Sequence, residues 1–219
     1  MLRVFLIIVA VLAAAAVALI YWQWDNVQAL RYASSASQEQ IAEDMEENQK
    51  EFAAAAEEYG LKDVSISEEE AEALSQGIIS VDEMAQKILK RAANTGSSGS
   101  AGSDPSNDPE IQRLIASLYA LRGSYTSQLN GLLASAKSEY AALAPEAQTG
   151  TARRNIVSKA ISSASALEGT CDGQVASIVS SMRSRLKELG QDDSLADRVM
   201  SAYQQEKKLR KASYMSQFS

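Results

Sequence analysis

Ser184-Arg185-Leu186-Lys187 carries the spacing in which an amine one helical turn away can take a proton from a serine hydroxyl. Penicillin-binding enzymes use this S-x-x-K pattern together with partner motifs such as K-T-G, and the chain contains no K-T-G. Asp192, Asp193 and Asp197 present carboxylates that would suit a hard cation, or would cap a helix and favour the positive end of its dipole. Glu68, Glu69, Glu70 and Glu72 raise the same choice, because acids are what the first turn of a helix prefers. The chain has no histidine, which removes Ser-His-Asp and Cys-His mechanisms and the commonest ligand for zinc, copper and iron. Cys171 is the one cysteine, and it lies between Glu168 and Asp172, where nothing favours a thiolate. It reads as a buried small apolar group or, in an oxidising compartment, as the site of an intermolecular bridge. Lys207, Lys208, Arg210 and Lys211 form a basic cluster that reads as a solvated face, or as a contact for an anionic wall polymer, lipid headgroups or the acidic half of the chain. No enzyme activity, cofactor, metal, nucleic acid or small-molecule substrate is expected.

The element that must place these groups is N-terminal. Val4 to Trp22 runs nineteen residues without a charge, and a helix of that length spans ~28 Å, about the thickness of a bilayer's hydrocarbon core. Arg3 precedes the run and Tyr21, Trp22 and Trp24 crowd its far end, where amphipathic rings sit at an interface. Val4, Phe5, Leu6, Ile7, Leu12, Ile20, Trp22 and Trp24 are the expected anchor contacts. The short basic leader favours an N-terminus in the cytoplasm and a body outside the cell membrane, as a single-pass signal-anchor protein. Ala16-Val17-Ala18 has the form of a cleavage site, but apolar residues continue past it, which favours an uncleaved anchor.

Past the anchor the composition points to an all-α fold, with few prolines and few β-branched runs. Charge is unevenly placed: Asp25–Ala93 holds 16 acidic and 6 basic residues, net −10, whereas Glu110–Ser219 holds 10 acidic and 14 basic, net +4. Five segments follow: an anchor over 1–24, a helical stalk over 25–60, an acidic helical hairpin over 61–93, a linker over 94–108, and an antiparallel three-helix coiled-coil domain over 109–219. Ser67-Glu68-Glu69-Glu70 and Ser80-Val81-Asp82-Glu83 are capping boxes on either side of Gly77, and they define the hairpin. Asn94–Pro109 is Gly/Ser-rich, with an r.m.s. reach of ~20–24 Å, so the halves on either side need not dock.

Asp108 and Pro109 restart helix as N-cap and first helical residue. Ile111, Leu118, Tyr125, Leu129, Leu132 and Tyr140 then fall on a coiled-coil seam, broken at Arg122, with Cys171 on the facing helix. Pro145 marks the turn, a second long helix runs from about Thr151 to Leu189 without a break at Gly169 or Gly173, and Gly190 ends it. The result expected is an elongated antiparallel bundle ~50 Å long.

The stretch ALSQGIISVDEMAQKILK resembles the bacterial short C-terminal helical-hairpin family written SHOCT, through Gly77, Ile78, Ile79, Ser80, Asp82, Glu83, Met84 and Lys87. The resemblance covers residues 67–91, lies mid-chain rather than at a C-terminus, and implies an interaction or oligomerisation module without catalytic residues. The chain as a whole, through LYALRGSYTSQLNGLLASAKSEY and ALEGTCD, resembles uncharacterised single-pass membrane-anchored helical proteins of clostridial-type bacteria, which implies a topology and no activity. The expected function is a non-enzymatic, membrane-anchored extracytoplasmic scaffold or adaptor that binds a protein partner or itself. The alternative is a cell-envelope hydrolase or transferase using Ser184 and Lys187.

Overall fold

Two capping boxes, an Asp-Pro start and three glycines with positive φ, Gly60, Gly77 and Gly190, set most helix ends among the described residues. The computed structural model describes Ala29, residues 31–32, 34–62, 64–94 and 108–216. Among these residues the protein is all-α, with six helices: α1 (Gln38–Glu58), α2 (Glu68–Ser75), α3 (Val81–Ala92), α4 (Pro109–Ala141), α5 (Gly150–Glu188) and α6 (Ser194–Ser216). A single 3₁₀ turn, Pro145–Ala147, joins α4 to α5. Ser67 accepts from the Glu70 N–H and Ser80 from the Glu83 N–H, and each glutamate bonds back to its serine's backbone. Gly77 and Gly190 both sit at φ 70°, the left-handed region that ends a helix at little cost only for glycine. The stalk expected over 25–60 is interrupted: helix stops at Ala36, and Ser37 accepts from the Gln40 N–H to start α1.

The chain divides into two compact units, one made from the described parts of Met1–Gln49 and Tyr203–Ser219, the other from Lys50–Ala202. In the larger unit, α5 packs along α4, and α2 and α3 pack on α4 as well. The reason lies in the first half of α4. Residues 114–121 are all buried, Ala116, Ser117 and Ala120 among them, so burial runs round the helix rather than marking one stripe. A helix that is apolar all round must be covered on several sides. The end of α1 helps: Phe52 meets Tyr119 edge to face at 5.4 Å, and Gln112 donates to the Tyr59 carbonyl at 2.8 Å. Ile66 lies against Gly123, where an added Cβ would stand 3.1 Å from its Cδ1, so a mid-helix glycine buys this close approach.

Asp108 ties the start of α4 to the end of α5. Its carboxylate accepts from the backbone N–H groups of Glu110 and Ile111 and from Arg185 Nε and Nη2, the last at 2.7 Å, with its side chain only 7 % exposed. The bond from Arg185 holds that carboxyl below the usual aspartate range; the Ile111 and Glu110 amides act in the same direction, and burial opposes them. The Arg185 guanidinium is correspondingly raised, first by Asp108 and then by Glu188.

The smaller unit is held by polar and aromatic groups. Tyr32 donates to Asp44, which pushes the phenol up to about 12 through that bond first and burial second. Lys208 lies over the Tyr32 ring at 5.5 Å, Lys207 lies over Tyr203 at 5.9 Å, and Arg210 pairs with buried Glu206 at 2.6 Å.

This packing differs from a self-contained three-helix bundle over 109–219. The acidic hairpin shares a core with α4, and α6 leaves that unit at Tyr203. The anchor residues Val4, Phe5, Leu6, Ile7, Leu12, Ile20, Trp22 and Trp24, and most of the 94–108 linker, lie outside the described residues. Among the described residues no helix is long and apolar enough to cross a membrane.

Candidate interaction surfaces

The groups that suggested chemistry are engaged in holding helices. Ser184 is exposed, and its hydroxyl donates to the Ser180 carbonyl at 3.1 Å, a bond to its own helix rather than to Lys187. The two depressions around it are open to solvent and lined by charged and small polar side chains, including Arg183, Lys187, Glu110 and Glu188. The Ser194 hydroxyl first and its backbone N–H second lower the Asp192 carboxyl, and Asp197 pairs with Arg183 at 2.8 Å, so the acid cluster caps α6 and bridges it to α5. Glu70 completes a capping box and pairs with Arg91 at 3.2 Å, and Glu72 accepts from Gln76. Glu83 is lowered by the Ser80 backbone and hydroxyl. Among the described residues no group of three metal-ligating side chains comes together.

The seam residues fall into two sets. Ile111, Leu118, Tyr125, Leu129 and Cys171 are at most 7 % exposed and belong to the unit's own core. Leu132 and Tyr140 are half-buried. The Tyr140 hydroxyl donates to the Gln148 carbonyl at 3.1 Å and the Gln148 amide to the Leu143 carbonyl at 3.0 Å, so this pair pins the α4–α5 turn. The basic cluster is not a plain solvated face either: Lys207 is buried, and Lys207, Lys208 and Arg210 make the ring and ion-pair contacts described above.

Among the described residues two apolar surfaces stand out. The first is the far half of the α4–α5 hairpin. Beyond Leu129 only Ala136 of α4 is buried, and before Cys171 only Ile156 of α5 is buried. Leu132, Leu133, Val157, Ala164 and Leu167 are half-exposed there, and Ile161 is 51 % exposed. The second is the α2–α3 turn, where Ile78 is 73 % exposed beside Ile79 and Met84 in an open depression of about 640 Å³ rimmed by Glu69, Glu83, Lys87 and Lys90. Gly77 reverses the chain there and leaves the next side chain without cover. Large exposed apolar side chains are informative when they cluster on one element, because water penalises them and a partner removes the penalty.

The sequence pattern singles out neither Leu133 nor Ile161. Ile161 stands fourteen residues before buried Val175, in the same heptad register, so periodicity gives no sign of its exposure. The first half of α4 was missed in the same way: Leu114, Tyr119 and Leu121 lie off the heptad positions that defined the seam. Comparison of the chain with protein-family models, curated proteins and solved structures found no match.

Proposed function

We propose that the protein is a non-enzymatic scaffold, fixed to the cell membrane by residues 4–22 with its body outside the cytoplasm, and that it acts by protein–protein contact along the far half of the α4–α5 hairpin. One observation carries the contact surface: an exposed isoleucine and five half-exposed apolar residues gather on the α4–α5 hairpin beyond Leu129 of α4 and before Cys171 of α5. The uncharged nineteen-residue run and its aromatic flank support the anchor. Self-association or an adaptor role is the chemistry that such a surface supports, and the hairpin that resembles the SHOCT family would supply a second contact through Ile78.

The test is in-membrane cross-linking of the full chain, comparing wild type with Leu133→Asp and Ile161→Asp. Both positions are off the packed core, so the variants keep their melting temperature and lose their cross-linked partners. Unchanged cross-linking in both would remove the α4–α5 surface as the binding element. Placement is read separately from exposed Ser177→Cys, which reacts with a membrane-impermeant thiol reagent in intact cells if the body is outside.

A further inference from the structure

Helices α1, α2 and α5 end on the same device, a glycine in the left-handed region: Gly60 at φ 74°, Gly77 at 70° and Gly190 at 70°. The residues that follow, Leu61, Ile78 and Gln191, donate their N–H groups to the carbonyls of Ala56, Ala73 and Leu186 at 3.0, 2.9 and 2.9 Å. These bonds fix where the residue after the glycine stands. At two of the three ends its type agrees with its surroundings, because Leu61 is 1 % exposed and Gln191 is exposed but polar. Ile78 breaks the agreement: it is apolar, 73 % exposed, and pinned by its own bond and that of Gly77 to Leu74. The apolar contact that often accompanies this motif runs back to the residue accepting the bond, and Ala73 offers only a methyl group there. An isoleucine held by the backbone in one place and left in water is an anchor ready for a partner, with little ordering left to do on binding.

The charges around it select that partner. Ile78 stands at the turn end of the groove between α2 and α3. The two helices run antiparallel, since Glu70 at the start of α2 pairs with Arg91 at the end of α3. At the other end of the groove Glu69 stands on the α2 wall and Lys90 on the α3 wall. Both are exposed, and among the described residues neither carries an ion pair. We propose that a second copy of this chain docks hairpin to hairpin, with the two-fold axis along this groove. Rotation about that axis exchanges the walls and keeps the ends, so Ile78 meets Ile78, and Glu69 of each protomer meets Lys90 of the other. An axis across the groove would set α2 against α2 and each isoleucine against the charged end. Ala73 and Ile79, half-buried in one chain, are enclosed along with Ile78. Glu83 on the α3 wall bonds back to Ser80 and faces the last residues of α2 and its turn, Ser75, Gln76 and Gly77, none of them acidic. Helices of 8 and 12 residues cover less than a standard stable interface, so the pairing is weak in free solution. Two chains held in one membrane meet at a high effective concentration, which makes a small interface sufficient. The proposal rests on the scaffold reading and names the partner of its second contact.

The experiment uses the full chain reconstituted in lipid vesicles with Cys171 left in place, since that thiol is buried and wild type serves as the blank. Under mild oxidation Ile78→Cys forms a disulfide with its own copy. Glu72→Cys, exposed on α2 but outside the groove, cross-links far less. Glu69→Lys and Lys90→Glu are then introduced separately into the Ile78→Cys chain. Each sets like charges across the axis and loses cross-linking at least about fivefold, whereas a 1:1 mixture recovers it as a heterodimer, because both pairs are then opposite in sign. Equal yields from Ile78→Cys and Glu72→Cys, single variants that cross-link like their parent, or a mixture that recovers nothing would each overturn the two-fold contact. If in that case Leu133→Asp and Ile161→Asp still abolish the cross-links of the previous section, the scaffold reading stands without this pairing, and if they do not, both readings fall.

Discussion

The two ends of the α4–α5 hairpin are built from the same secondary structure and differ in what surrounds it. At the base, Ile111 to Leu121 of α4 pack against α5, the α2–α3 hairpin and the end of α1, and Asp108 and Arg185 tie the start of α4 to the end of α5. Toward the turn, Leu132, Leu133, Val157 and Leu167 are only half-buried. Half-exposed side chains remove less apolar area from water than enclosed ones, so this end contributes less to folding. One long hairpin is thus a packed core at one end and carries half-exposed apolar side chains at the other.

The largest test of that contrast is truncation of equivalent side chains. Met182→Ala and Ile115→Ala, at sites no more than 2 % exposed, should each lower stability by about 2–5 kcal/mol in urea titration. Leu133→Ala should cost about 1 kcal/mol or less, because less area is removed from water. Equal costs at the two ends would mean that the far half is also enclosed.

Asp108→Ala should cost about 2–3 kcal/mol, since it removes an N-cap and leaves Arg185 without its buried partner. Asp108→Asn retains the capping oxygen and isolates the charge. The folded carboxyl is held below its ordinary value, so its contribution is fully present above the unfolded value of about 3.9 and is lost as pH falls through the folded one. The gap in melting temperature between wild type and Asp108→Asn should therefore be widest near neutral pH and close in acid. A gap that grows on acidification would contradict the direction of the shift.

Smaller effects sharpen the picture. Gly190→Ala forces φ 70° on a residue with a Cβ and should cost about 1 kcal/mol. Ser80→Ala removes a capping box from α3 at a similar cost. Ile161→Ser and Ile78→Ser should change thermal stability by no more than ~0.5 kcal/mol, while reducing association of the full chain.

Local rules made most of the helix ends legible. Ser67, Ser80, Asp108, Gly77 and Gly190 act where their chemistry places them, because a cap involves only the few residues around it. The unbroken run of α5 through Gly169 and Gly173 was legible for a related reason: two glycines in a 39-residue helix cost about 1 kcal/mol each, which a packed flank outweighs. The enclosure of α4 was less legible. A heptad search finds one stripe and passes over Leu114, Tyr119 and Leu121, whose burial depends on α1, α2 and α3 arriving from another part of the chain.

By itself, then, the sequence determined helix content, helix ends, the charge asymmetry and the lack of histidine chemistry, all of which follow from residue type and short spacing. Tertiary structure decided that the acidic hairpin shares a core with α4, that the Lys207–Lys211 cluster packs on tyrosines and Glu206, and that Ile78 and Ile161 face solvent. The physical reason is that burial depends on which distant elements arrive at a face, and periodicity along one helix reports the face without naming what covers it.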